Sequence, residues 1–176
     1  MKFRIYKYLL FVLPLIIAGC GVYSFQGATI DYSSTKTISI DYYYNDTPLG
    51  PANLGQLFTE ELRDYYQQNT NLALVTEEGD LILEGRISRY VTHPVSPQAS
   101  QDPDGVDFSS LTRLTITVQA AYTNTQDGTF DFERSFSFFS DFDNSENSFN
   151  DIEEQLIDEI SQQIAIDIFN ASVANW

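Results

Sequence analysis

Two periodicities run through this chain. In some stretches apolar and polar residues alternate one by one, as on a half-buried strand. In others apolar residues return every three or four positions, as on one stripe of a helix. Residues 36–44 alternate, with Ile38, Ile40, Tyr42 and Tyr44 on one side and Thr37, Ser39 and Asp41 on the other, which predicts a strand. Pro48, Gly50 and Pro51 then break the pattern. Residues 53–68 read as a helix with Leu54, Phe58, Leu62 and Tyr65 on one stripe and Leu57 beside it. Asn53 and Gln56 stand at the spacing of a capping box. A short apolar strand follows at 72–75, then a turn at Glu77–Asp80. Another strand covers 81–91, with Leu81, Leu83, Gly85 and Ile87 in line.

Residues 92–110 hold three prolines and three aspartates and predict a long polar loop. The clearest alternation is at 111–124. Leu114, Ile116, Val118, Ala120 and Tyr122 point one way, and Arg113, Thr115, Thr117, Gln119 and Thr123 the other. Asp127-Gly128 is a hairpin signal. A returning strand at 129–139 carries Phe130, Phe132, Phe136 and Phe138 on one face; Arg134 interrupts that face, which predicts a bulge or a rim position. The last element, about 150–173, repeats Ile152, Leu156, Ile160, Ile164 and Ile168 every four residues. Asn150 and Glu153 give a second capping pattern, and Asp151 complements the helix dipole.

Two amphipathic helices cannot bury their stripes alone, and the apolar strand faces match them. The expected fold is α+β: a two-layer sandwich with two helices packed on one face of a mixed four- to five-stranded sheet. The opposite face would be rich in Thr, Gln and Arg.

The N-terminus changes the picture of where such a domain works. Lys2, Arg4 and Lys7 precede an apolar run from Tyr8 to Ala18, too short for a membrane-spanning helix. The run ends in Ile17-Ala18-Gly19-Cys20, a lipobox pattern: an apolar residue, two small residues that let the backbone enter a signal peptidase, and a thiol to take a diacylglyceryl group. Residues 1–19 are thus expected to be a lipoprotein signal peptide and Cys20 the lipidation site. Residues 20–35 would form a lipid-anchored segment, and 36–176 a single domain. More than one acyl chain, palmitate among them, makes anchoring stable. Gly21 is not the Asp that often retains lipoproteins at the inner membrane, so the expected address is the periplasmic face of the outer membrane.

Of 176 residues, 9 are Lys or Arg and 25 Asp or Glu. Removing the signal leaves six basic residues and a net charge of −19. A nucleic-acid binder needs a basic footprint, so that class is excluded. One Cys and one His exclude a zinc site of those ligands and an internal disulfide. His93 falls in the predicted loop, away from any nucleophile motif, so no catalytic residue is assigned and no enzyme is expected. Asp141 to Asn147 hints at a calcium loop, but an EF-hand wants Gly and Glu where Glu146 and Ile152 stand. No metal site or cofactor is assigned.

Several segments in this order resemble one family: Cys20-Gly21-Val22-Tyr23-Ser24-Phe25, Thr37 to Ile40, Leu57 to Leu62, Asp80 to Ile87, Leu114 to Val118 and the closing Asn175-Trp176. The chain resembles the lipopolysaccharide-assembly lipoprotein family LptE. The resemblance implies a two-layer α/β fold and a tight complex with LptD, an outer-membrane β-barrel that inserts lipopolysaccharide. Family members sit in that barrel as a plug and folding partner. Some bind lipopolysaccharide through basic residues. Here the basic residues after Cys20 are Lys36, Arg63, Arg86, Arg89, Arg113 and Arg134. A polar, wet barrel interior suits hydroxyl and amide groups, which makes Arg113, Thr115, Thr117, Gln119 and Thr123 the expected partner surface. Arg86 and Arg113, on non-core positions of neighbouring strands, are the candidates for lipopolysaccharide. Arg89 shares parity with the core residues Leu83 and Ile87. The acidity predicts weak lipopolysaccharide binding, or binding bridged by divalent cations. The alternative reading is a lipid-anchored periplasmic binding module for a solute or divalent cation.

Overall fold

A computed structural model describes residues 32–95, 111–145 and 148–173. Cys20, the signal segment, most of the 92–110 stretch and Trp176 lie outside them. The elements run β1 (Thr37–Ile40), β2 (Tyr44–Asn45), α1 (Leu54–Asn69), β3 (Ala73–Val75), β4 (Leu81–Pro94), β5 (Leu111–Asn124), a 3-10 turn (Gly128–Phe130), β6 (Phe132–Asp143) and α2 (Phe149–Ser172). One mixed sheet has the order β3-β1-β4-β5-β6, and the two-residue β2 pairs with β4 beyond the end of β1. β1 is parallel to both its neighbours; β4, β5 and β6 form an antiparallel meander. Both helices lie on one face, as the two stripes require. The core between the layers holds Ile38, Ile40, Leu81, Leu83, Ile87, Leu114, Ile116 and Val118 from the sheet. Leu54, Phe58, Leu62, Leu156, Ile160, Ile164 and Ile168 meet them from the helices. The helices are tied at one end by the buried Tyr66, whose hydroxyl meets Ser172 Oγ at 2.5 Å and whose ring packs edge-on against Phe169.

Several local expectations are corrected. The strand at 36–44 is broken after Ile40, and its parity flips: Tyr43 is buried, while Tyr42 and Tyr44 are exposed. The cause is α1. The Arg63 guanidinium donates to Ile40 O (2.6 Å from Nη2), and Thr59 Oγ1 accepts the Tyr43 N–H at 3.0 Å, so two backbone groups of the break bond to helix side chains. The Tyr43 ring then lies over Gly85, where a Cβ would stand 2.5 Å from the ring and 2.2 Å from Gln119 O. Only glycine fits there.

Neither predicted capping box forms. Asn53 makes no side-chain cap bond, and Gln56 Nε2 donates to Glu60 at 2.9 Å instead. α2 starts after Ser148 rather than at Asn150, and Glu153 accepts the Tyr90 hydroxyl at 2.6 Å. β4 runs on to Pro94, so Thr92, His93 and Pro94 are strand residues opposite Leu114, Arg113 and Thr112 and not the start of a loop. Pro94 sits at the strand end, where its missing N–H does little harm. The returning strand is shifted to 132–143. Residues 128–130 are taken by the 3-10 turn, with Asp127 accepting the Thr129 N–H. β5 and β6 keep one continuous register, so Arg134 makes no bulge; it is a rim residue, its guanidinium 4.9 Å and 4.8 Å from the ring centres of Phe132 and Phe136. The register shift lies in β4, between Ile87 and Arg89.

Candidate functional site: the uncovered sheet face

The face of the sheet away from the helices carries the outward residues of the meander. On β5 these are Arg113, Thr115, Thr117 and Gln119, all half-buried, and the exposed Thr123. Strict alternation along β5 brings the five predicted partner residues to one face, as expected from their spacing. Their neighbours on β6 are Asp141, Phe139, Ser137 and Ser135. Thr117 and Ser137 join hydroxyls at 3.0 Å, and Ser137 also donates to Ile116 O. The middle of this face is therefore a short band of hydroxyls with one exposed aromatic, Phe139.

Arg86 and Arg113 reach the same face but not each other. Arg86 is opposite Gln119, and Arg113 is six residues further along β5, about 20 Å away at strand spacing. Each is already engaged. Arg86 donates to Gln119 Oε1 at 2.9 Å and pairs with Asp46 at 3.2 Å. Arg113 makes a two-pronged bond to Asp141, at 2.6 and 2.7 Å, and its guanidinium carbon lies 3.6 Å from the centre of the Phe139 ring. The Asp141 hydrogen bond raises the Arg113 pKa above its ordinary value.

Arg89 is the residue the parity argument misplaced. The shift at Ser88 turns Arg89 outward opposite Thr117 and turns Tyr90 into the core. Arg89 makes no ion pair among the described residues. The signal was present in the spacing: Ile87 and Tyr90 are three apart, not two, which is what one inserted residue produces. His93 is exposed on the same strand. Among the described residues no group of three His, Cys, Asp or Glu is placed to hold a metal ion, and no helix is long and apolar enough to cross a membrane.

The model of the family described as LptE, lipopolysaccharide-assembly, matches residues 35–172. The chain belongs to that family. The match spans every described strand and helix, from β1 to the last residue of α2. A hypothetical protein from Chlamydia trachomatis has a similar fold, with a TM-score of 0.50 at 9% identity over 78% of this chain and 98% of that one. A rare lipoprotein B from Shewanella oneidensis gives 0.48 at 16% identity, covering 77% and 92%. A minor lipoprotein from Acinetobacter baumannii gives 0.47 at 17% identity, covering 79% and 96%. No curated protein sequence gives a significant match. In this LptE-family domain the two helices cover one face of the sheet, and no described element covers the hydroxyl-lined face.

Proposed function

We propose that this LptE-family protein is a non-enzymatic lipoprotein of the outer membrane, anchored at its periplasmic face by acyl chains on Cys20. It would partner an LptD-type β-barrel in lipopolysaccharide assembly, as plug and folding partner. On this reading residues 1–19 are removed, 20–35 link the anchor to the fold, and 36–176 form one domain. The observation that carries the reading beyond family membership is the face of the meander that no described element covers. It has the strand regularity of a core face but offers Thr115, Thr117, Ser137 and Gln119 where a core face would offer aliphatic groups. Hydroxyl and amide groups match the polar lumen of a barrel and leave little apolar surface on this face before assembly, Phe139 being the exception.

The engaged state of Arg86 and Arg113 supports a minor part for them in binding lipopolysaccharide. Asp46, Gln119 and Asp141 already take two of the five guanidinium donors of each and offset part of the charge, and the overall negative charge opposes the approach of a phosphate within about 8–10 Å. Substituting Thr115 and Thr117 together with Glu places two charges on the open face and touches no core contact. The barrel should then co-purify poorly from detergent-solubilised outer membranes while the far-UV spectrum and unfolding midpoint stay as in the parent. Undiminished co-purification would assign docking to the helices or to segments outside the sheet.

A further inference from the structure

The ladder on one side of β4 is interrupted between β1 and β2, and beside that gap the open face sinks into a hollow of about 400 Å³. Small residues line its floor: Gly85, Ala120 and Ala121. Glu84, Ala121 and Glu133 share one rung across β4, β5 and β6, so the two carboxylates stand on either side of a methyl group. Arg86 and Gln119 occupy the next outward rung. Tyr42 and Tyr44 make a further wall, with ring centres 4.8 Å apart at 68° and exposures of 40% and 69%. Two adjacent large aromatics this exposed are informative on a domain that buries Tyr43, between them in sequence, completely.

The carboxylates of the hollow and one amide nitrogen are available. Asp41, Glu84 and Glu133 form no ion pair among the described residues. Arg86 is held by Asp46 and by Gln119 Oε1, which leaves the Gln119 amide nitrogen without a partner among them. Ring faces beside unpaired carboxylates and an amide meet the needs of a sugar. Its polarised C–H face packs on the negative face of an aromatic ring. Its hydroxyls give charge-assisted bonds to carboxylates. The volume is within the range of small-molecule sites. Three carboxylates against the one Arg86 make the lining net negative, which disfavours phosphorylated sugars and favours an amine, which an aromatic face also attracts.

We infer that this hollow is a saccharide site for a phosphate-free, amine-bearing sugar. The assignment stands on the hollow alone and does not rest on docking of the Thr115–Thr117 band. The test is a titration of the mature chain with the β-1,4-linked glucosamine disaccharide, followed by backbone amide shifts, beside its N-acetylated and 6-phosphorylated forms. Saturable shifts centred on Tyr42, Tyr44 and Gln119 are expected, with the phosphorylated form weaker. Tyr44→Ala, which removes a wall, and Ala121→Leu, which fills the floor, should each weaken binding by up to about tenfold. No saturable shift with the parent chain, or binding that both variants leave intact, would overturn the assignment. Displacement of the disaccharide by an equal concentration of N-acetylarginine amide would overturn it too, and make the hollow a receptor for a basic side chain.

Discussion

Removing the hydroxyl of Ser172 should cost the fold more than removing that of Tyr66, although the two share one hydrogen bond. Ser172 Oγ donates to Phe169 O at 3.1 Å, so in the 2.5 Å contact between the side chains the tyrosine is the donor. Tyr66 is 1% exposed, and burial pushes its pKa well above the ordinary value. Ser172→Ala therefore strands a buried O–H with no other acceptor, a penalty of about 1–3 kcal/mol, reduced by a few tenths for the better helix propensity of alanine. Tyr66→Phe removes the donor and leaves Ser172 still bonded to Phe169 O, a loss of about 1 kcal/mol. The double variant should be close to Tyr66→Phe alone, since no orphan is left. Urea unfolding of the mature chain, followed by circular dichroism, measures all three. A shift of 1 kcal/mol corresponds to about 2–5 °C in a parallel thermal scan. A Ser172→Ala variant no less stable than Tyr66→Phe, or a double variant whose loss equals the sum of the singles, would refute the donor assignment.

Three further outcomes are expected. Asp80 accepts the N–H groups of Lys36 and Thr37 and the Thr37 hydroxyl, which hold its carboxyl below the ordinary range. A depressed pKa gives stability that is present above the unfolded pKa and lost as pH falls through the folded one. The gap in unfolding midpoint between parent and Asp80→Asn should thus be full near neutrality and close below about pH 4; a gap independent of pH would rule this out. In an alkaline absorbance titration, Tyr43, Tyr66, Tyr90 and Tyr122 should ionise late, because burial raises each of them, Tyr122 to about 12 with help from the nearby Asp131. All four should titrate normally in urea, and native-state ionisation of every tyrosine by about pH 11 would contradict the burial. Cys20→Ala should abolish acylation and leave an uncleaved precursor, as read by radiolabelled palmitate and gel mobility; label on the variant would refute lipidation at Cys20.

How far the sequence could be read depended on whether a feature is set within one element or between two. The stripe of α2 and the alternation of β5 are local, and Ile160, Ile164, Leu114 and Ile116 are buried as their spacing required. The break after Ile40 was not legible, because the groups that stabilise it, Thr59 and Arg63, come from a helix whose docking the strand's own pattern does not encode. Glu153 was read as a cap because it stands in the right place for one; its actual partner, Tyr90, lies on a strand 63 residues earlier. The same division holds at the open face. Thr115, Thr117 and Gln119 were placed by parity alone. The locking of Arg113 by Asp141 depends on the β5–β6 register, and the outward turn of Arg89 on one extra residue in β4.

The position of β1 has a mechanical consequence. The first strand among the described residues is not at the margin of the sheet but lies between β3 and β4, hydrogen-bonded on both sides. Its entry is fastened by Asp80, which bonds Lys36 and Thr37. If Cys20 carries the proposed acyl chains, the load on that tether would enter the described fold at β1. A pull from the membrane would have to tear two parallel ladders at once, where an edge strand would peel from one. On the proposed anchoring, the domain would be tugged, turned or held at a distance through a strand bonded on both sides, which favours an intact sheet under load.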